Sequence, residues 1–182
     1  MALSRLDAGA ARELSRSLLA DTLPQRWTHV QAVAAEAHRL SGILDVADQP
    51  LVVAAAWLHD IGYAPAVAVT GQHALDGARF LRAHGWDDRL CSLVAHHSAA
   101  QHGPAGEFGG EQSATSDLLW FVDMTIGHDG RRTTFEDRLA EIAARYGPNS
   151  AVSMAMRRAT PDLAAAISRT ARRMASVPTT GG

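Results

Sequence analysis

The chain has 182 residues, 47% apolar and 20% charged, the balance of one folded domain and not of a disordered segment. A formal net charge of −2 argues against a general nucleic-acid-binding protein. No stretch approaches the roughly 20 apolar residues that span a bilayer, so no membrane partner is expected either.

Alanine is abundant and β-branched runs are few, so the expected fold class is all-α. Leu3, Leu6, Ala10, Leu14 and Leu18 recur at helical spacing and predict a first amphipathic helix. Pro24 opens a second, with Trp27, Val30, Ala34, Ala37 and Leu40 on one face and Gly42 as its stop. Asp48 and Pro50 start a third that Gly62 ends; it is apolar almost all round, as a central helix would be. Thr70 caps a fourth over residues 72–84, closed by Gly85, and Asp87 or Asp88 caps a fifth ending near His97. Residues 98–114 read as a long Gly-rich loop that, with a turn over 125–132, is expected to shape a pocket. Ser116 begins a sixth helix through Met124. Thr133 with Glu136 has the capping-box pattern and starts a seventh carrying Phe135, Leu139 and Ile142, broken at Gly147-Pro148. A short helix follows, and Thr160-Pro161 caps a last one with Leu163, Ile167 and Met174 on its face. The tail 177–182 is expected to fray.

The sharpest chemical signal is Trp57-Leu58-His59-Asp60-Ile61-Gly62-Tyr63. An ionised Asp is costly to bury unless paired or bound to a metal, and imidazole with carboxylate is a common ligand set for divalent transition metals. Taken alone the doublet leaves two readings open: Asp60 and His59 as ligands, or Asp60 in solvent with His59 packed. Asp123 follows Leu119 by four residues and Trp120 by three, an acid on an apolar stripe that asks for a cation. His29 lies in the helix before the doublet. Helical phase separates His96 from His97: His97 shares the apolar face of Leu90, Leu93 and Val94, whereas His96 follows Arg89 and Ser92. His38 and His84 fall near helix C-termini, where the dipole favours them, and His102 and His128 read as loop residues.

The order His29, His59-Asp60, Asp123 resembles that of the HD-domain metal-dependent phosphohydrolase superfamily. The resemblance runs from about Arg26 to about Met124. His73, followed by Gly77-Ala78, and His97 extend it to the binuclear, five-histidine type. It implies a single HD-domain helical bundle over 1–182, with a metal-binding core at about 26–124 and flanking helices at both ends. It further implies two divalent ions, with Fe, Mn, Co, Ni, Mg and Zn not distinguished. One would sit on His29, His59 and Asp123 and a second on His73 and His97, with Asp60 bridging and catalytic.

The implied activity is hydrolysis of a phosphate ester or anhydride of a small molecule, possibly a nucleotide, by hydroxide generated at the metals. Substrate contacts are expected from Tyr63, His96 and a cation, Arg79 or Arg26. All 17 basic residues are arginine, so a phosphate-binding side chain must be Arg or a protonated His. Many family members carry Lys three residues after the doublet; Tyr63 stands there and brings no charge. Two other readings stay open: a di-iron HD-domain oxygenase, and a non-catalytic metal-stabilised module that binds a nucleotide or protein partner. Cys91 is the only cysteine, and the first residues lack the apolar segment of a secretory leader, so a cytoplasmic location is expected.

Overall fold

The computed structural model describes residues 7–97 and 105–176. Among these it contains eight α-helices and no strand: α1 (Ala8–Leu19), α2 (Pro24–Leu40), α3 (Gln49–Leu58), α4 (His73–Ala83), α5 (Asp88–Ala95), α6 (Ala114–Met124), α7 (Phe135–Tyr146) and α8 (Ala151–Ser176). α3 is the axis of the bundle and packs against α1, α2, α5 and α6. Its residues Leu51 to Ala56 and Leu58 are all buried, as the unbroken apolar run requires of a helix enclosed on every side. A second, smaller core lies between α6 and α8, where Trp120 and Met124 meet Met156, Ala159, Leu163 and Ala166, with Leu139 and Ile142 of α7 alongside.

Several expected element ends shift, each for a local reason. Leu3 and Leu6 lie outside the described residues; in α1 the buried positions are Ala11, Ser15 and Leu19, one residue past the predicted stripe. α3 stops at Leu58, four residues before Gly62, which falls inside a 3₁₀ turn over Ile61–Tyr63. Asp48 makes no side-chain cap; its carboxylate instead takes Arg89 (2.6 Å) and Thr115 (2.6 Å), tying the start of α3 to α5 and α6. Thr70 does not cap α4 directly: its hydroxyl donates to Asp76 Oδ1, and Asp76 Oδ2 accepts the Val69 and Thr70 amides. α6 begins two residues early because Ser113 and Ser116 form a reciprocal capping box. The cap of α7 is Thr134, accepting from Asp137 N, and not Thr133 with Glu136.

The largest departure is α8. Two helices divided at Thr160-Pro161 are expected; one helix of 26 residues runs straight through Pro161. Proline forfeits one backbone hydrogen bond, but here packing on both sides of it outweighs that loss. Met156 and Ala159 precede the proline, Leu163 and Ala166 follow it, and all four are buried in the same core. Asp117 of α6, itself buried, clamps the far half through Arg169 (2.6 Å) and Arg173 (2.8 Å). No helix among the described residues is long and apolar enough to cross a membrane. The expected frayed tail, 177–182, lies outside the described residues.

Candidate metal centre

Because α3 ends at Leu58, His59 and Asp60 occupy the turn that follows it, where backbone carbonyls are free to orient side chains. His59 Nδ1 donates to the Ala56 carbonyl (2.7 Å). His29, in mid-α2, gives Nδ1–H to Gly127 O (3.0 Å), in the turn after α6. His97, just past α5, gives Nδ1–H to Val94 O (2.6 Å). A neutral imidazole that donates through Nδ1 keeps its lone pair on Nε2, the usual device for aiming a metal-binding histidine. His73 is the first residue of α4, brought in by a close approach of that helix to the 61–63 turn.

That approach depends on Gly62. A methyl group there would overlap the His73 carbonyl and sit 2.8 Å from its Cα. Glycine is the one residue that lets the two backbones meet.

The side chains gather into two adjoining clusters. His29, His59 and Asp123 form one, and Asp60, His73 and His97 the other; within each, the potential ligand atoms lie within 4.8 Å of one another. Asp123 Oδ1 is 3.1 Å from His29 Nε2 and 3.8 Å from His59 Nε2. Asp60 faces both ways: Oδ1 is 3.5 Å from His73 Nε2 and 3.7 Å from His97 Nε2, while Oδ2 is 3.4 Å from His59 Nε2. Oδ2 also receives Arg26 Nη1 at 2.6 Å.

Two observations show that a cation fits this site. His59 Nε2 is buried, flanked by two carboxylates, and has no hydrogen-bond partner among the described residues. Burial opposes charge on His59, yet Asp60 and Asp123 raise its pKa, so the site draws positive charge to that nitrogen. The Nε2 atoms of His73 and His97 stand 3.2 Å apart, a contact that needs a proton or a metal between them. Burial pushes His73 down to about 3, holding it neutral and able to ligate, although Asp60 pulls the other way. The carboxylates stay ionised. Burial would raise both, but positive charge at Arg26 and His59 keeps Asp60 well below the usual range, and the close Nε2 of His29 with positive charge at His59 does the same for Asp123. With Nδ1 already donating, that charge is a proton on Nε2, the position a metal ion would take.

A cavity of about 430 Å³ opens beside the clusters, with Asp60, His73, His97 and Asp123 in its lining. Tyr63 and Arg26 line it too: the Arg26 guanidinium lies 3.9 Å over the Tyr63 ring, which stacks on His73 at 4.1 Å. Arg79 does not reach it, being paired with Glu107 at 2.7 Å on the far side of α4. Nor does His96, whose Nε2 bonds Phe108 O (2.9 Å) beside a smaller, separate pocket. The expectation that the 98–114 loop and the 125–132 turn shape the pocket is corrected for their described parts. Neither lines the cavity; its outer wall is α7 and α8, including Arg138, Ile142, Tyr146, Val152 and Met156. Residues 98–104, with His102, lie outside the described residues. The turn's part is indirect, since its Gly127 carbonyl orients His29. Arg138 carried a readable signal: it sits three after Phe135 and four before Ile142, a charge on an apolar stripe like Asp123.

A model of the HD domain matches residues 26–149. The chain belongs to the HD domain family. The matched span covers α2 to α7 and so contains all six clustered residues. HD domains are mostly metal-dependent phosphohydrolases. No curated protein and no solved structure matches the chain.

Proposed function

We propose that this HD domain is a metal-dependent phosphohydrolase that cleaves a phosphate ester or anhydride of a small molecule. The observation that carries this reading is the pair of adjoining clusters joined by one ionised carboxylate, Asp60, at the edge of a cavity of ligand size. His29, His59 and Asp123 would hold one divalent ion, and Asp60, His73 and His97 a second, with Asp60 facing both. Such ions supply Lewis acidity toward phosphoryl oxygens and lower the pKa of water from 15.7 to about 7. The protein's own part is positioning. Carbonyls of Gly127, Ala56 and Val94 lock three imidazoles in one tautomer. Asp60, kept ionised, accepts a hydrogen bond from an attacking water and orients it. Arg26, stacked on Tyr63 next to Asp60, supplies fixed positive charge where phosphate charge gathers.

The test is to load the protein with Mn, Fe, Co or Ni, measure metal content by elemental analysis, and screen phosphoesters and nucleotides. His59→Ala and Asp60→Ala are expected to lose bound metal and turnover together. Full hydrolysis of every active substrate by either variant refutes the assignment. Oxygen consumption without phosphate release would replace hydrolysis by oxidation.

A further inference from the structure

The cavity is lined both by the two clusters and by α7, and α7 carries a guanidinium whose hydrogen-bonding capacity its surroundings do not fill. Arg138 is only 5% exposed, yet among the described residues its guanidinium makes a single hydrogen bond, Nη1 to Glu141 Oε2 at 2.9 Å. Its Nε is buried and has no partner among the described residues. A buried guanidinium left in that state is costly, and unpaired buried donors in native folds call for a specific explanation. Glu141 cannot neutralise it fully, because the same carboxylate also holds His128 at 2.5 Å and Arg145 at 3.4 Å. One negative charge is shared among those groups, and Asp123, the other carboxylate whose field reaches Arg138, makes no hydrogen bond to it and is itself engaged by His29 and His59. Arg26, a half-buried arginine of the same lining, is already bonded to Asp60.

The geometry points to Arg138 as a residue that grips the substrate's anionic oxygens, in the same cavity as the histidine and carboxylate clusters and within the electrostatic reach of Asp123. The ligand class is a phosphoryl or similar oxyanion, held by the planar donor set of arginine in a chain that has no lysine. Glu141 then acts as its tether and its competitor: it fixes the guanidinium while drawing part of its charge away from the ligand. This assignment rests on the phosphohydrolase reading for the identity of the ligand, not for the existence of the subsite.

The two ends of the Arg138–Glu141 pair separate anion binding from a structural role. Inorganic phosphate would be titrated calorimetrically into the Mn-loaded full-length chain, with melting temperature recorded for each variant. Arg138→Gln is expected to weaken phosphate binding roughly 10- to 100-fold. Arg138→Lys should recover part of that loss, because it restores charge without the fork. Glu141→Gln is expected to leave binding intact or tighten it. If Arg138 serves only to clamp Glu141, both ends should weaken binding and lower the melting temperature in parallel, and the assignment is overturned. It is overturned equally by unchanged affinity in Arg138→Gln or by a wild-type chain that binds no phosphate. Should the chain hydrolyse nothing or take up no metal, the same titration on the metal-free protein still reads the subsite. The phosphohydrolase reading can therefore fail while this one stands.

Discussion

Gly62→Ala is the perturbation with the most closely defined consequence. A methyl group on residue 62 would lie 2.6 Å from the His73 carbonyl carbon and 2.8 Å from its Cα, against ordinary contact from about 3.4 Å, and closer still to the carbonyl oxygen. All three obstacles are backbone, so no rotamer change relieves them. The 61–63 turn and the start of α4 must part by more than about 1 Å, an overpacking strain of about 1–3 kcal/mol or more. For a chain of this size that corresponds to a melting-temperature fall of roughly 2–12 °C. Because His73 is the first residue of α4, the displacement moves it away from Asp60 and His97 and leaves His29, His59 and Asp123 in place. On the proposed two-ion hydrolase reading, the variant is expected to keep one metal and lose the second, with turnover lower by about 100-fold, the cost that a misplacement of about 1 Å can carry. Calorimetry, elemental analysis and a turnover assay read these quantities in parallel. Gly42→Ala is the control, since a methyl group there meets nothing within 4 Å. A Gly62→Ala protein with wild-type melting temperature, metal content and turnover would falsify the account of how α4 is positioned.

Three further outcomes follow from the same geometry. Adding a divalent metal at about 100 times its dissociation constant should stabilise the fold by about 2.7 kcal/mol. Scanning calorimetry should show this as a rise of roughly 5–11 °C that His59→Ala abolishes; an equal rise in that variant would place binding elsewhere. Leu163→Ala empties a fully buried position in the α6–α8 core and is expected to cost about 2–5 kcal/mol in denaturant unfolding, whereas a loss below 1 kcal/mol would mean that α8 is held by Asp117 and its arginines alone. Asp48 has its pKa lowered by hydrogen bonds from Arg89 and Thr115, so its contribution to stability is complete above its unfolded value near 3.9 and fades as pH falls through the lower folded value. Asp48→Asn should therefore flatten the acid limb of a stability–pH curve; an unchanged limb would show that the network contributes no pH-dependent stability.

Much of this protein is set by local sequence. The fold class follows from apolar residues at helical spacing and from stop signals such as Gly85 and Gly147, both of which adopt positive φ. The central place of α3 follows from its unbroken apolar face. Asp60 and Asp123 were legible as acids on apolar helices that ask for a cation, whereas the place of His29 and His73 beside them was read from the resemblance to the HD-domain family. Phase alone separated His97, buried among the cluster, from His96, which bonds a loop carbonyl on the other side.

Tertiary structure decided what local rules cannot weigh. Pro161 reads as a helix breaker, yet α8 passes through it because burial of Met156, Ala159, Leu163 and Ala166 against α6 outweighs one missing hydrogen bond. Arg79 reads as a free cation near His73 and is consumed by Glu107, a partner 28 residues away. The cavity wall was hidden for the same reason. Arg138 and Tyr146 reach the site only because α7 folds back beside α8, and no spacing in the chain records that return. Sequence periodicity specifies which face of each helix is buried, while the identity of the helix it meets emerges only when all the faces compete for one core.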